Sequence, residues 1–297
     1  MGVGVLAIAG RASAADSAPR FTQLTKGAEV TAIAWLPDGT IRFAERKGAI
    51  VDVAANGSRR RVVTTLAVNT EGQRGVLGLD TDRTGSTAIS WVRKDTTMVL
   101  SVLSPKGVQR VVYEGRKTKN GANGGHILFE PDGKHVVMGL GDFLQGGKKG
   151  RFIRIDTTTS EVEELSVGWN NPFAFDWRDG PRVGGTIVVA DNAPFEGPEE
   201  VAEINGRRFG PLPKDSTPSA LAMTASGSVL EGVACSYVSN ELIRYRFTPP
   251  VKPAVVGKVT KKDTLASDCS VAVRLLPDRR LVYATETHLM ISQRPLP

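Results

Sequence analysis

The chain is short of the residues that build covalent or metal frameworks. Its 297 residues include two cysteines, Cys235 and Cys269, and three histidines, His126, His135 and His288. So few thiols exclude a disulfide-stapled scaffold and a cysteine metal centre. The two cysteines read as small buried side chains, and a pairing stays open should the chain be exported. Long apolar runs are missing too: nothing beyond the N-terminus approaches the ~20 residues of a membrane-spanning helix. Nor does any segment carry the period of a long amphipathic helix.

What is present is a globular composition, 40% hydrophobic and 23% charged, long enough to bury a substantial core. The formal charge of +7 would suit an anionic partner, but the basic residues are scattered. The one dense run, Ser58–Val63, lacks the interleaved aromatics of a nucleic-acid surface, so no nucleic-acid partner is expected. The opening has an apolar run, Val3–Ala9, followed by Ala12-Ser13-Ala14, which would suit a signal peptidase although the usual basic start is missing. Residues 1–20 are therefore read as a leader, residues 21–297 as one domain, and the mature protein as secreted or periplasmic.

The most informative feature is a phrase that recurs six times: an apolar strand, a turn of Pro-Asp-Gly type, and a second alternating strand. It is seen in "AIAWLPDGTIRFAE", "HILFEPDGKHVVMGLGD" and "VAVRLLPDRRLVYATE", and each copy predicts a β-hairpin. With the turns at Asp38, Asp82, Asp132, Asp179, Ser226 and Asp278, the separations are 44, 50, 47, 47 and 52 residues. That is the period of a four-stranded propeller blade, so the expected fold is all-β, a six-bladed β-propeller; a β-sandwich would not need so regular a repeat. The turn aspartates suit turn geometry rather than catalysis. Trp35, Trp91 and Trp177, within strands, are expected in blade cores.

A propeller gathers its inter-blade loops around one axial mouth, where a small molecule can sit against residues distant in sequence. Four loops carry unusual chemistry. They are Asn69–Asp80 with Gln73, Gly121–His135 with His126, Gly168–Trp177 with paired amides before a proline, and Ala190–Pro213 with Asn192 among acids and prolines. The last offers the hard oxygens that Ca²⁺ prefers, or is a solvated acidic loop. Trp169 stands before Asn170, where it would stack on a flat ligand or pack in a blade.

In order along the chain, "ERKGAI", "GQRGVLGL", "NGGHILFEPDG", "GLGD", "GRFIRID", "NNPFAFDW", "VADNAP" and "PSALAM" resemble the glucose/sorbosone dehydrogenase family. These are soluble quinoproteins that oxidise aldoses with pyrroloquinoline quinone (PQQ). The resemblance spans about Val30 to Ala284 and independently implies a six-bladed propeller. It places the family's cofactor-side glutamine on Gln73. It places the catalytic histidine on Ala122, beside Asn123, and the active-site arginine on Asn170. The arginines that hold the cofactor carboxylates fall on Ser267 and Cys269. A tricarboxylate without those partners should bind poorly, so PQQ is doubtful. The family's calcium maps onto Ala193 and Pro194, and a second calcium of some relatives onto Glu199 and Phe209.

Three readings follow. The favoured one is a propeller that kept the scaffold, lost the redox chemistry, and binds a small molecule or a partner through Gln73, Asn123, Trp169, Asn170 and Asn192. The first alternative is an active PQQ-dependent aldose oxidoreductase, which would need a base such as His126 in place of Ala122. The second is a non-redox enzyme in the same pocket, a Ca²⁺-dependent lactonase or cyclising enzyme using Asn170, Asn171, Asn192 and Glu196. His126 itself, at the start of a blade strand, is expected to be structural or exposed at the rim. His135 and His288 read as strand histidines.

Overall fold

The computed structural model describes residues 19–179, 185–193, 199–213, 216–225, 230–248 and 257–296. Its described residues form twenty-four strands and no helix, in six four-stranded antiparallel sheets. Strand β1 (Phe21–Lys26) comes first in the chain and last in the ring. The first blade holds β2 (Val30–Trp35), β3 (Ile41–Glu45), β4 (Ala49–Val53) and β5 (Arg61–Thr65). The second holds β6 (Val76–Thr81), β7 (Thr87–Val92), β8 (Thr97–Leu103) and β9 (Gln109–Lys117). The third holds β10 (Gly124–Phe129), β11 (His135–Leu140), β12 (Gly150–Asp156) and β13 (Val162–Trp169). The fourth holds β14 (Asn171–Trp177), β15 (Ile187–Asn192), β16 (Glu200–Glu203) and β17 (Arg208–Pro211). The fifth holds β18 (Pro218–Ala225), β19 (Leu230–Ser236), β20 (Glu241–Thr248) and β21 (Lys258–Ala266). The sixth holds β22 (Val273–Leu275), β23 (Leu281–Ala284) and β24 (His288–Ser292), and β1 completes it by pairing with β24 from Phe21 opposite Ser292 to Lys26 opposite His288.

The hairpin phrases become the first two strands of each blade. The turn aspartates act as the sequence suggests: the Asp38, Asp132 and Asp278 carboxylates accept the amide N–H of Thr40, Lys134 and Arg280, two residues on, and Asp82 accepts those of Thr84 and Ser86. Ser226, the sixth turn position, lies outside the described residues.

Strand alternation then builds the ring. In β2, Ile33 and Trp35 pack into a cluster shared with the sixth blade, whereas Ala32 and Ala34 pack into one shared with the second. Six apolar clusters result, one at each blade interface. The core is thus distributed around the ring, and the three strand tryptophans lie in it at 9% exposure or less. On the axis, Arg274 of β22 reaches Asp80 of β6 at 3.1 Å and Asp176 of β14 at 3.5 Å, joining three non-adjacent blades through buried charge.

The cysteines correct the sequence reading. Cys235 at the end of β19 and Cys269 before β22 are both fully buried and are joined as a disulfide, with Cα atoms 5.5 Å apart. Neighbouring blades bring together thiols that are 34 residues apart in sequence.

Candidate binding site at the axial mouth

The segments that enter each innermost strand converge on one cavity of about 970 Å³. Thr31, Gln73, Asn123, Asn171, Ser219 and Ser270, one from each of blades one to six and each seven to nine residues before its turn position, all line it. The Thr31, Ser219 and Ser270 hydroxyls donate to the Val76, Ser270 and Ala284 carbonyls at 2.8, 2.9 and 3.0 Å, which leaves them as acceptors there. Loops joining the second and third strands add Arg46, Tyr237 and Glu286, and the end of β15 adds Asn192.

The amides are oriented by neighbouring blades. Gln73 Oε1 accepts the Ala122 N–H at 3.0 Å, and Asn171 Oδ1 accepts the Gly124 N–H at 2.9 Å. Each side-chain oxygen is thus engaged across a blade boundary, which leaves its NH₂ as a donor at the cavity. Asn192, the cross-strand partner of Asn171, has a buried Oδ1 with no hydrogen-bond partner among the described residues. Donors and a free acceptor lie side by side, the combination a hydroxyl group can satisfy from both ends.

The charge at the mouth is mostly negative. Arg46 is the one Lys or Arg lining the cavity among the described residues. Its guanidinium donates to the Thr70 and Gly72 carbonyls at 3.0 and 2.9 Å and to Glu29 at 3.1 Å. Burial alone would raise the Glu29 carboxyl, but Arg46 and Lys47 hold it below the ordinary carboxylate value, so Glu29 is an anion at neutral pH. Glu286 adds a second carboxylate.

Several expected residues are placed elsewhere. Ala122 is 2% exposed, in a left-handed turn at φ 49°, and does not line the cavity. Asn123 lines it, but its side chain is spent on the Lys119 backbone, accepting at 3.0 Å and donating at 3.0 Å. Asn170 is buried and turned away: its backbone N–H and side-chain NH₂ both donate to Asp191 at 2.9 Å, and the Asn171 N–H donates to the same carboxylate. Burial pushes the Asp191 carboxyl up to about 6, with the Asn170 hydrogen bonds opposing it. Trp169 turns its ring edge-on to Phe152 at 5.4 Å and donates to Ser166, because the aromatic cluster between the third and fourth blades offers it an apolar seat. Ser267 is exposed and outside the cavity lining, and Cys269 is consumed by the disulfide.

His126 does not line the cavity. It is half-buried, its ring against Phe175 at 4.6 Å and 6.1 Å from that of Phe173, which does line the cavity. Burial, and then the nearby Arg274 charge, lower it to about 3, so the imidazole stays neutral. The glycines before it are structural. Gly124 and Gly125 have φ of 67° and 103°, and a Cβ on Gly124 would collide with the Gly139 carbonyl oxygen.

Two cofactor questions can be tested on these residues. Three carboxylates of PQQ do not suit a cavity with two glutamates and one arginine already bonded to Glu29. Calcium fits better: Asn192 Oδ1 is an unengaged hard oxygen next to Ala193, while Pro194 and Glu196 lie outside the described residues and Glu199 does not line the cavity. Glu130, Asp132 and His135 form a separate acidic group at the opposite end of the third blade, but Arg154 lies within it, bonded to Glu130 at 3.0 and 2.7 Å. That cation already supplies the countercharge. Among the described residues no helix is long and apolar enough to cross a membrane.

No family model matches the sequence, and neither does any curated protein. Solved structures do match. A Thermus thermophilus protein assigned as an oxidoreductase (glucose dehydrogenase) superposes with a TM-score of 0.73 at 20% identity, over 92% of this chain and 99% of that one. What the two chains share is the fold, a six-bladed β-propeller. A gluconolactonase from Xanthomonas campestris matches at TM-score 0.65 and 12% identity, over 93% of this chain and 90% of the other. A calcium structure of a Trichoderma reesei protein of carbohydrate-active enzyme family AA12 matches at 0.65 and 9%, over 94% and 96%. The likeness extends to the fold that the repeat and the motifs predict.

The sequence missed Glu29, Thr31, Arg46, Ser219, Tyr237, Ser270 and Glu286. Counting back seven to nine residues from each turn brackets Thr31, Ser219 and Ser270, because the repeat carries its innermost strand past the mouth in every blade; the loop residues carry no such signal.

Proposed function

We propose that this propeller binds a neutral, hydroxyl-rich small molecule, a sugar or sugar lactone, in its axial cavity, without quinone redox chemistry. The observation that carries the reading is the pair of amide donors, Gln73 and Asn171, whose oxygens are engaged by the Ala122 and Gly124 N–H groups, set beside the unengaged oxygen of Asn192 in one cavity. The negative rim and the lack of free cations in the described lining weigh against a polyanionic cofactor. Neighbours of the same fold include a protein assigned as a glucose dehydrogenase and a gluconolactonase, which supports a ligand of that class. The buried disulfide supports residence in an oxidising, extracytoplasmic compartment.

The test is calorimetric titration of the protein with aldoses and aldonolactones, with and without PQQ. Saturable sugar or lactone binding that weakens tenfold or more in Gln73→Ala/Asn171→Ala is expected. PQQ uptake with aldose-dependent dye reduction would overturn the reading.

The unengaged Asn192 oxygen favours one further possibility, a Ca²⁺ at the cavity held by Asn192 and the Ala193 carbonyl. When bound there it would act as a Lewis acid toward a lactone carbonyl. Calcium should then raise the melting temperature of the wild type and not of Asn192→Ala.

A further inference from the structure

The turn between β19 and β20 presents an unusual pair of side chains to the cavity. Tyr237 is 56% exposed and Val238 65%, and both line the space. Among the described residues the other exposed large apolar side chains lie off the cavity, on β5, β9, β13, the turn before β9 or the loop after β11. The cavity is therefore amphipathic, polar where the innermost strands enter and apolar at this lip.

The lip is held rather than loose. Its first end leaves Cys235, bonded to Cys269 of the next blade, and at its other end the Asn240 carbonyl accepts the Cys269 N–H at 2.8 Å. Both ends are thus tied to one residue of the sixth blade. Between them the Tyr237 N–H donates to the Thr217 carbonyl at 2.9 Å, and Asn240 closes the turn at φ 53°. A fixed apolar platform loses little freedom when a ligand covers it. Tyrosine adds a large rigid face with only two torsions to freeze.

Size points the same way. A cavity of about 970 Å³ stands at the upper end of the roughly 300–1,000 Å³ that hold drug-sized ligands, and one sugar ring fills only part of it. We infer that the ligand is amphipathic: a hydroxyl-rich head held by Gln73, Asn171 and Asn192, carrying an alkyl or aryl group that lies against Tyr237 and Val238. The inference rests on the sugar reading above and narrows it from free sugars to glycosides or lactones with an apolar substituent.

The test compares methyl and octyl glucoside, and the matched galactosides, by titration calorimetry below the micelle concentration. In the wild type the octyl compound should bind at least about tenfold more tightly than the methyl one. Tyr237→Ser/Val238→Ser should bring that ratio near one while leaving methyl glycoside affinity within about twofold. Gln73→Ala/Asn171→Ala should weaken both ligands together. Equal affinities in the wild type, or a ratio that survives the lip substitutions, would overturn the inference and leave the sugar reading intact. If no glycoside binds at all, both fall. A disaccharide that gains as much as the octyl compound would make the lip a second sugar subsite and overturn it. So would a wild-type dimer, seen by sedimentation, that the lip substitutions dissociate.

Discussion

Asn170 shows how far a single residue can stand from its expected role. Two adjacent amides before a proline were visible in the sequence, but which of them faces the ligand was not. The structure spends Asn170 on Asp191 and gives Asn171 to the cavity, because the buried carboxylate needs three donors and the chain supplies them in one short arc. Asn170→Ala removes the one side-chain donor and should lower stability by about 1–3 kcal/mol in urea denaturation, with little direct effect on ligand. Asp191 itself should leave a pH signature. Its folded pKa of about 6 lies above the ordinary carboxylate value, so the native state holds the extra proton between about pH 4 and 6. Its contribution to stability therefore falls as pH rises through that window and is flat above it. The stability of the wild type minus that of Asp191→Asn should decline by about 2–3 kcal/mol from pH 4 to 6.5, measured by parallel denaturation curves. Ala122 belongs to the same scale. Buried and in a left-handed turn, it has no room for the histidine of the family pattern, so Ala122→His should destabilise the fold and give no aldose oxidation.

At the scale of strands and turns, the sequence was most readable. Period-two alternation and Asp-Gly turns act locally, over four to six residues, and every described turn position emerged between the first and second strands of its blade. The cysteines were unreadable for the opposite reason. Their pairing depends on the fifth and sixth blades lying side by side, a relation that no local pattern encodes. In the loop-entropy view a link across 34 residues stabilises by about 3–4 kcal/mol. Cys235→Ala/Cys269→Ala should show a loss of that order in thermal denaturation, and a reductant should lower the wild type's melting temperature without affecting the variant.

The whole molecule is a closed ring, and two features test that closure. Strand β1 completes the sixth blade, so deleting residues 19–26 would expose the edge of β24 and strip Leu24 from the interface between the first and sixth blades. Loss of cooperative unfolding in calorimetry is the expected outcome. On the axis, Arg274 neutralises Asp80 and Asp176 from opposite parts of the ring; burial already raises Asp176, with Arg274 opposing that rise. Arg274→Met would leave two buried carboxylates without their countercharge, held only by the Phe129, Trp177 and Met223 N–H groups, and should cost about 3–5 kcal/mol by chemical denaturation. The sequence by itself determined the hairpins, their number and their spacing, hence the blade count and the existence of an axial mouth, because those follow from backbone geometry and binary pattern within each repeat. Only the tertiary structure decided which side chains reach that mouth. Gln73, Asn171 and Asn192 arrive there and Trp169, Asn170 and His126 do not, because each is placed by contacts distant in sequence: Gln73, Asn171 and His126 by a neighbouring blade nearly fifty residues away, Trp169 and Asn170 by Phe152 and Asp191 on other strands of their own blades.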